Sequence, residues 1–186
     1  MLMFTPLQTP RLHLRALRAE DAPALLDIFS RDEVSEYYDL DTFTELAEAE
    51  QLVRVWLRRT EAGEGLRWAL TRSGDDRLIG TCGLHQYCPS HRRAEIGYEL
   101  HPDCWGQGLM TEAVQALLAY GFGPLALHRM EAFIDPANHA SERLLERCGL
   151  RNEGILRDYF FEKGRFVNAQ MMAILEQDYA ALATPR

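Results

Sequence analysis

The chain has 186 residues, with 28 Asp and Glu against 20 Lys and Arg, for a formal charge of −8 with neutral histidines. That acidic balance argues against nucleic acid as a partner. With 47% hydrophobic and 26% charged residues, the composition fits a globular domain that buries roughly two-thirds of its unfolded surface, and it excludes disorder.

No apolar run reaches the ~20 residues of a membrane helix, and arginines interrupt Met1 to Arg18 where a signal peptide would be apolar. A cytoplasmic protein with no membrane partner is expected. Cys82, Cys88, Cys104 and Cys148 are irregularly spaced without a C-x-x-C pair, so neither zinc nor a disulfide framework is signalled. His85, His91, His101, His128 and His139 share no ligand spacing, and no metal is expected.

Nothing divides the chain, and one domain over residues 1–186 is the expectation. Alternation over Arg11 to Leu17 predicts a strand, and Glu20-Asp21-Ala22-Pro23 starts a helix carrying Leu25, Leu26, Ile28 and Phe29. A second helix is predicted from about Thr44 to Thr60, where Leu46, Ala49, Val53, Trp56 and Leu57 recur at helical spacing. Arg67 to Thr71 and Arg77 to His85 read as strands joined by Ser73-Gly74-Asp75-Asp76. Ala94 to Leu100 is another, with Ile96, Tyr98 and Leu100 on one face and Glu95, Gly97 and Glu99 on the other. A helix over Met110 to Phe122, a strand over Arg129 to Ile134 and a helix over Ser141 to Cys148 follow. Asn152 to Phe160 and Phe166 to Leu175 close the pattern as a hairpin across Glu162-Lys163-Gly164-Arg165. The fold class is α+β, a single mixed, mostly antiparallel sheet of about six or seven strands flanked by helices.

The segment from Pro102 to Ala113 joins a strand end to a helix start through Gly106 and Gly108. Glycines there let a phosphate approach exposed backbone N–H groups at the positive helix end, although a turn that merely caps the helix would have the same sequence. No G-K-[ST] follows and the third Rossmann glycine is absent, so neither nucleotide motif fits. Downstream, Asn138 precedes a short helix. It either caps that helix or pairs its amide with a pantetheine arm.

Together these segments resemble the GNAT superfamily of acyl-CoA-dependent N-acetyltransferases. Ala94 to Leu100 is similar to its fourth strand, Trp105-Gly106-Gln107-Gly108 to its pyrophosphate loop, and Asn138, Ser141, Gly149 and Leu150 to its later N-x-x-[AS] and G-[FL] segment. Thr9 to Arg15, Leu78 to Gly83 and Leu127 to Ala132 resemble the branch that contains ribosomal-protein (alanine/serine) N-terminal acetyltransferases. Two positions depart from the pattern. Asp103 stands where many relatives carry Gln or Arg, and Leu145 stands where many carry a Tyr that protonates the departing thiolate.

The resemblance implies direct attack of a primary amine on acetyl-CoA in a ternary complex, with no metal. For the cofactor it implies Leu100, His101, Gly106, Gln107, Gly108, Leu109, Met110, Thr111, Asn138 and Ser141. An N–H near Leu100 or His101 would serve the oxyanion if the chain bulges at His101-Pro102 and splays the strands. Glu99 is the first candidate base and Glu95, farther along the same strand face, the second; exposed sheet-surface carboxylates are the alternative for both. Ser141 would hydrogen-bond the sulfur. The acceptor is expected to be a protein N-terminus, with a small amine or a non-catalytic acyl-CoA-binding role as alternatives, and the protein a monomer or homodimer. Tyr37, Tyr38 and Phe43, interleaved with Glu36, Asp39 and Asp41, suit a cationic acceptor.

Overall fold

Leu12 and Leu14, two residues apart, are both fully buried, as period-2 alternation requires. They lie on β2 (Leu12–Ala16), which follows a two-residue strand, β1 (Leu7–Gln8). The computed structural model describes residues 2–182. Met1 and residues 183–186, part of the single-domain expectation, lie outside them. Pro23 in the first turn starts α1 (Ala22–Phe29), followed by one turn, α2 (Asp32–Ser35), and by α3 (Leu46–Glu61). The sheet continues with β3 (Leu66–Arg72), β4 (Leu78–Cys88) and β5 (Arg93–Leu100). Then come α4 (Leu109–Phe122), β6 (Arg129–Ile134), α5 (His139–Arg147), β7 (Arg151–Glu162), β8 (Arg165–Leu175) and α6 (Glu176–Leu182).

Eight strands form one sheet in the order β1-β2-β3-β4-β5-β6-β8-β7. Every pairing is antiparallel except β5 with β6. Two apolar layers cover opposite faces. Trp68, Cys82, Leu84, Ile96 and Leu100 pack with α4 and α5 on one side, while Ala69 and Leu78 pack with α1 and α3 on the other. The count exceeds the expected six or seven because β1 is too short to show alternation. The one-turn α2 and the C-terminal α6 escape sequence periodicity for the same reason.

The expected bulge at His101-Pro102 does not occur. The chain instead leaves β5 through one 3-10 turn, Pro102–Cys104, because Pro102 cannot donate to the ladder. The splaying arises elsewhere. β5 and β6 pair only through Arg93, Ala94 and Glu95 against Arg129, Met130 and Glu131, and then part. A buried Glu131, accepting from Arg93 and Arg129, pins the two strands at the closed end.

Candidate active site

The parting of β5 and β6 opens into a cavity of about 1260 Å³. His101 N–H donates to Ile79 O on β4 at 2.8 Å, so antiparallel alternation turns the N–H groups of Tyr98 and Leu100 the other way, toward β6. The Leu100 carbonyl accepts from the Trp105 indole at 2.7 Å, anchoring the loop. Beyond it, Gly106 and Gly108 have φ of +72° and +73°, a left-handed conformation that a Cβ disfavours. The first helix-type bond of α4 is Glu112 N–H to Gly108 O, 3.1 Å. Among the described residues the N–H groups of Leu109, Met110 and Thr111 have no partner, and all three residues line the cavity with Gly106 and Gly108. This is the free positive end of a fourteen-residue helix.

The turn before β2 holds that loop in place. Arg11 donates from its backbone and Nε to the Glu112 carboxylate and from Nη1 to Gln107 O, while Thr9 Oγ1 also donates to Glu112. Burial pushes the Glu112 pKa up, but the Thr9 hydroxyl and the Arg11 amide and guanidinium more than reverse this, and it falls below the ordinary carboxylate range.

Across the cavity, the α1/α3 face of the sheet carries a row of polar groups. Glu99 is buried, and its carboxylate accepts from Arg67, from Thr81 and, at 3.1 Å, from the Tyr38 hydroxyl. Trp56 of α3 stacks on the Arg67 guanidinium at 4.2 Å. Burial raises the Glu99 pKa, and Arg67, Thr81 and Tyr38 oppose the rise. Two rows toward the closed end, Glu95 and His85 face each other on paired strands, with Oε2 and Nε2 3.2 Å apart. A Cβ on Gly97 would come within 3.0 Å of His85 Cε1 and 3.2 Å of Arg67 Nη1. The glycine is therefore the room those side chains occupy.

The acetyltransferase (GNAT) domain family matches residues 11–151. The chain belongs to the GNAT acetyltransferase family. YoaA of Bacillus subtilis, an uncharacterized N-acetyltransferase, is 37% identical over 174 residues, covering 94% of this chain and 98% of YoaA. The spermidine N-acetyltransferase of Vibrio cholerae, solved with CoA and spermine, has a TM-score of 0.79 at 26% identity, covering 92% of this chain and 99% of its own. RimL, the ribosomal L7/L12 alpha-N-protein acetyltransferase solved with CoA, has a TM-score of 0.82 at 20% identity, covering 92% and 98%, a likeness of fold.

GNAT acetyltransferases take their acyl group from acetyl-CoA, and the unpartnered N–H groups at the start of α4, beside a strand parting, fit its diphosphate and its arm. Against the expected GNAT site, two residues are placed differently. The His101 N–H is taken by Ile79 O, and its ring packs beside Asp27, Nε2 3.3 Å from Oδ2, outside the cavity lining. Gln107 also lies outside that lining: its carbonyl accepts from Arg11 and its side chain bridges Asp103 O and Arg72. Asp103 is exposed, its carboxylate 3.7 Å from His101. Leu100, Gly106, Gly108, Leu109, Met110, Thr111, Asn138, Ser141, Glu95 and Glu99 all line the cavity. Asn138 caps α5 through Oδ1, which accepts the Ser141 N–H at 3.0 Å, and its Nδ2 has no partner among the described residues. Cys148 is buried, its thiol pKa pushed up to about 11 by desolvation, which suits packing and not a nucleophile.

Three lining residues were not singled out from the sequence. Arg143 and Arg147, one turn apart on α5, bring cationic side chains to the cofactor side; their i,i+4 spacing was the available signal. His85 meets Glu95 only through the β4–β5 register. Among the described residues no group of three or more His, Cys, Asp or Glu is placed to hold a metal ion, and no helix is long and apolar enough to cross a membrane.

Proposed function

We propose that the protein acetylates the α-amino group of a protein N-terminus, by direct attack on acetyl-CoA held between β5 and β6. The supporting observation is crowded negative charge where the acceptor enters. Glu36, Asp39 and Glu162 line the cavity beside Tyr37, Tyr38 and Phe160. Burial, Asp39 and Asp135 push the Glu162 pKa up, with Lys163 opposing. An arriving ammonium would relieve that repulsion. The tip of the β7–β8 hairpin is tied over this wall by Lys163 Nζ, which donates to Ser35 O at 2.6 Å.

An α-amine has a pKa near ~8, so its deprotonation is a mild demand. Glu99 already accepts from three donors, one of them Arg67, whereas Glu95 is met by His85 alone. The acceptor proton therefore passes, along a chain of waters in the cavity, to the Glu95–His85 pair, and Glu99 holds Arg67 and Tyr38 in the wall. The Leu100 N–H stabilises the tetrahedral oxygen, and the Ser141 hydroxyl meets the sulfur. The N–H groups of residues 108–111 hold the diphosphate, with Arg143 and Arg147 as counter-charges.

A linear polyamine is the second reading. It is favoured by the spread of carboxylates from Glu33 to Glu162 along one wall and by the spermidine N-acetyltransferase relative. Thiol release with a panel of N-terminal peptides, spermidine and spermine decides between them. Higher kcat/KM on the peptides supports the N-terminal acceptor, and higher kcat/KM on the polyamines replaces it. CoA binding without turnover on any amine would leave a non-catalytic module.

A further inference from the structure

Leu145 is fully buried in the apolar layer beneath α5, so that position offers the leaving sulfur no hydrogen. Two other hydroxyls stand nearby. Tyr98 Oη on β5 and Ser141 Oγ in the first turn of α5 are hydrogen-bonded to each other, and both residues line the cavity where β5 and β6 part. Asn138 holds the serine's backbone N–H, which fixes that turn. Among the described residues neither hydroxyl has another partner.

Each hydroxyl carries one hydrogen, and the phenol is the stronger donor of the two. Burial raises the Tyr98 pKa, so the phenol keeps its proton. We propose that Tyr98 is a positioning residue for thiol release: it donates to Ser141 Oγ and thereby commits the serine's own hydrogen to the sulfur of CoA. The serine's place beside the sulfur rests on the mechanism proposed above.

The nitrogen pair adds to the thioester carbon and the carbonyl π pair moves to oxygen. When that pair returns, the C–S bond breaks and its electrons go to sulfur. Ser141 donates a hydrogen bond to the sulfur as charge develops, and the Tyr98 donation polarises the serine hydroxyl and strengthens that bond. The thiolate then takes a proton from water, balancing the one released by the acceptor nitrogen. Tyr98 loses no proton in the cycle, consistent with a phenol that burial keeps neutral.

The test is a double-mutant cycle of Tyr98→Phe and Ser141→Ala in the full chain, with acetyl-CoA and a reactive peptide or polyamine. Each single variant is expected to lower kcat about tenfold, the scale of one hydrogen bond felt in the transition state, with CoA Kd and thermal midpoint nearly unchanged. The double variant should be no slower than the worse single one. With an acetyl thioester of a more acidic thiol, S-acetyl-4-nitrothiophenol, the Tyr98→Phe deficit should shrink toward onefold, since that sulfur needs little help to leave. A merely structural tyrosine would give the same deficit with both donors. That result, additive effects in the cycle, or full kcat in Tyr98→Phe would overturn the inference. Full kcat in Ser141→Ala would remove the mechanism beneath it, a separately readable failure.

Discussion

Glu99→Gln removes the anion from a pair whose side chains are only 9% (Arg67) and 2% (Glu99) exposed. The variant leaves the Arg67 guanidinium facing Trp56, Thr81 and Tyr38 with no counter-charge. Removing one partner of a buried ion pair costs about 3–5 kcal/mol. In a chain of this size, each kcal/mol moves the thermal midpoint by roughly 2–4 °C, so a drop of about 6–12 °C corresponds to the lower end of that cost. Differential scanning calorimetry measures it. The pair itself need not favour the folded state, since desolvation offsets the attraction, and Arg67→Met with Glu99→Leu should recover at least half of the loss. A midpoint within 1–2 °C of the parent for Glu99→Gln, or a double variant no better than the single, would refute the claim that this carboxylate is fixed by burial and pairing. The rise in the Glu99 pKa sets the sign with pH. The folded state then holds this proton more tightly than the unfolded one, so the group's contribution weakens as pH rises from the ordinary carboxylate value through the raised one. Glu99→Gln should abolish that slope.

Gly108→Val forces a branched side chain into a left-handed conformation, with Arg11 Nη2 3.6 Å from the position of the new Cβ. It should weaken CoA binding at least tenfold by calorimetric titration, while the fold loses only the ~1–2 kcal/mol of the backbone conformation. Glu112, with its lowered pKa, contributes latch stability above the ordinary carboxylate value that is lost as pH falls toward the folded one; CoA affinity should fall across that window in the parent and stay flat in Glu112→Gln. Glu95→Gln should flatten the acidic limb of the kcat/KM profile and leave CoA Kd unchanged, and an unaltered limb would return the base to Glu99. Arg143→Met with Arg147→Met should raise the Kd of CoA and reduce its salt dependence, read by titration at two ionic strengths.

Strong local periodicity made most of the fold legible. Strand β3, the Met110–Phe122 helix and the strand after it fall within one residue of expectation, β4 runs three residues past its expected end at His85, and the glycine loop announced itself by composition. Cross-strand geometry stayed hidden. Arg67 and Glu99 are 32 residues apart and meet only because β3, β4 and β5 align Arg67 with Gly83 and Gly97, and Thr81 with Glu99. The β4–β5 register shift after His85 similarly conceals its pairing with Glu95. Which N–H at the end of β5 points into the site depended on ladder phase, and one residue of phase separates Leu100 from His101. β7 presents exposed residues along nearly its whole length at the sheet edge, so alternation there could not report which face covers the acceptor wall.

The most direct measurement is a crystal structure of the protein soaked with CoA. The diphosphate should lie within hydrogen-bond distance of the N–H groups of Leu109 and Met110, with the pantetheine arm running between β5 and β6 and the sulfur beside Ser141. A diphosphate bound elsewhere, or an arm that does not enter between β5 and β6, would contradict the assignment of this cavity to the cofactor.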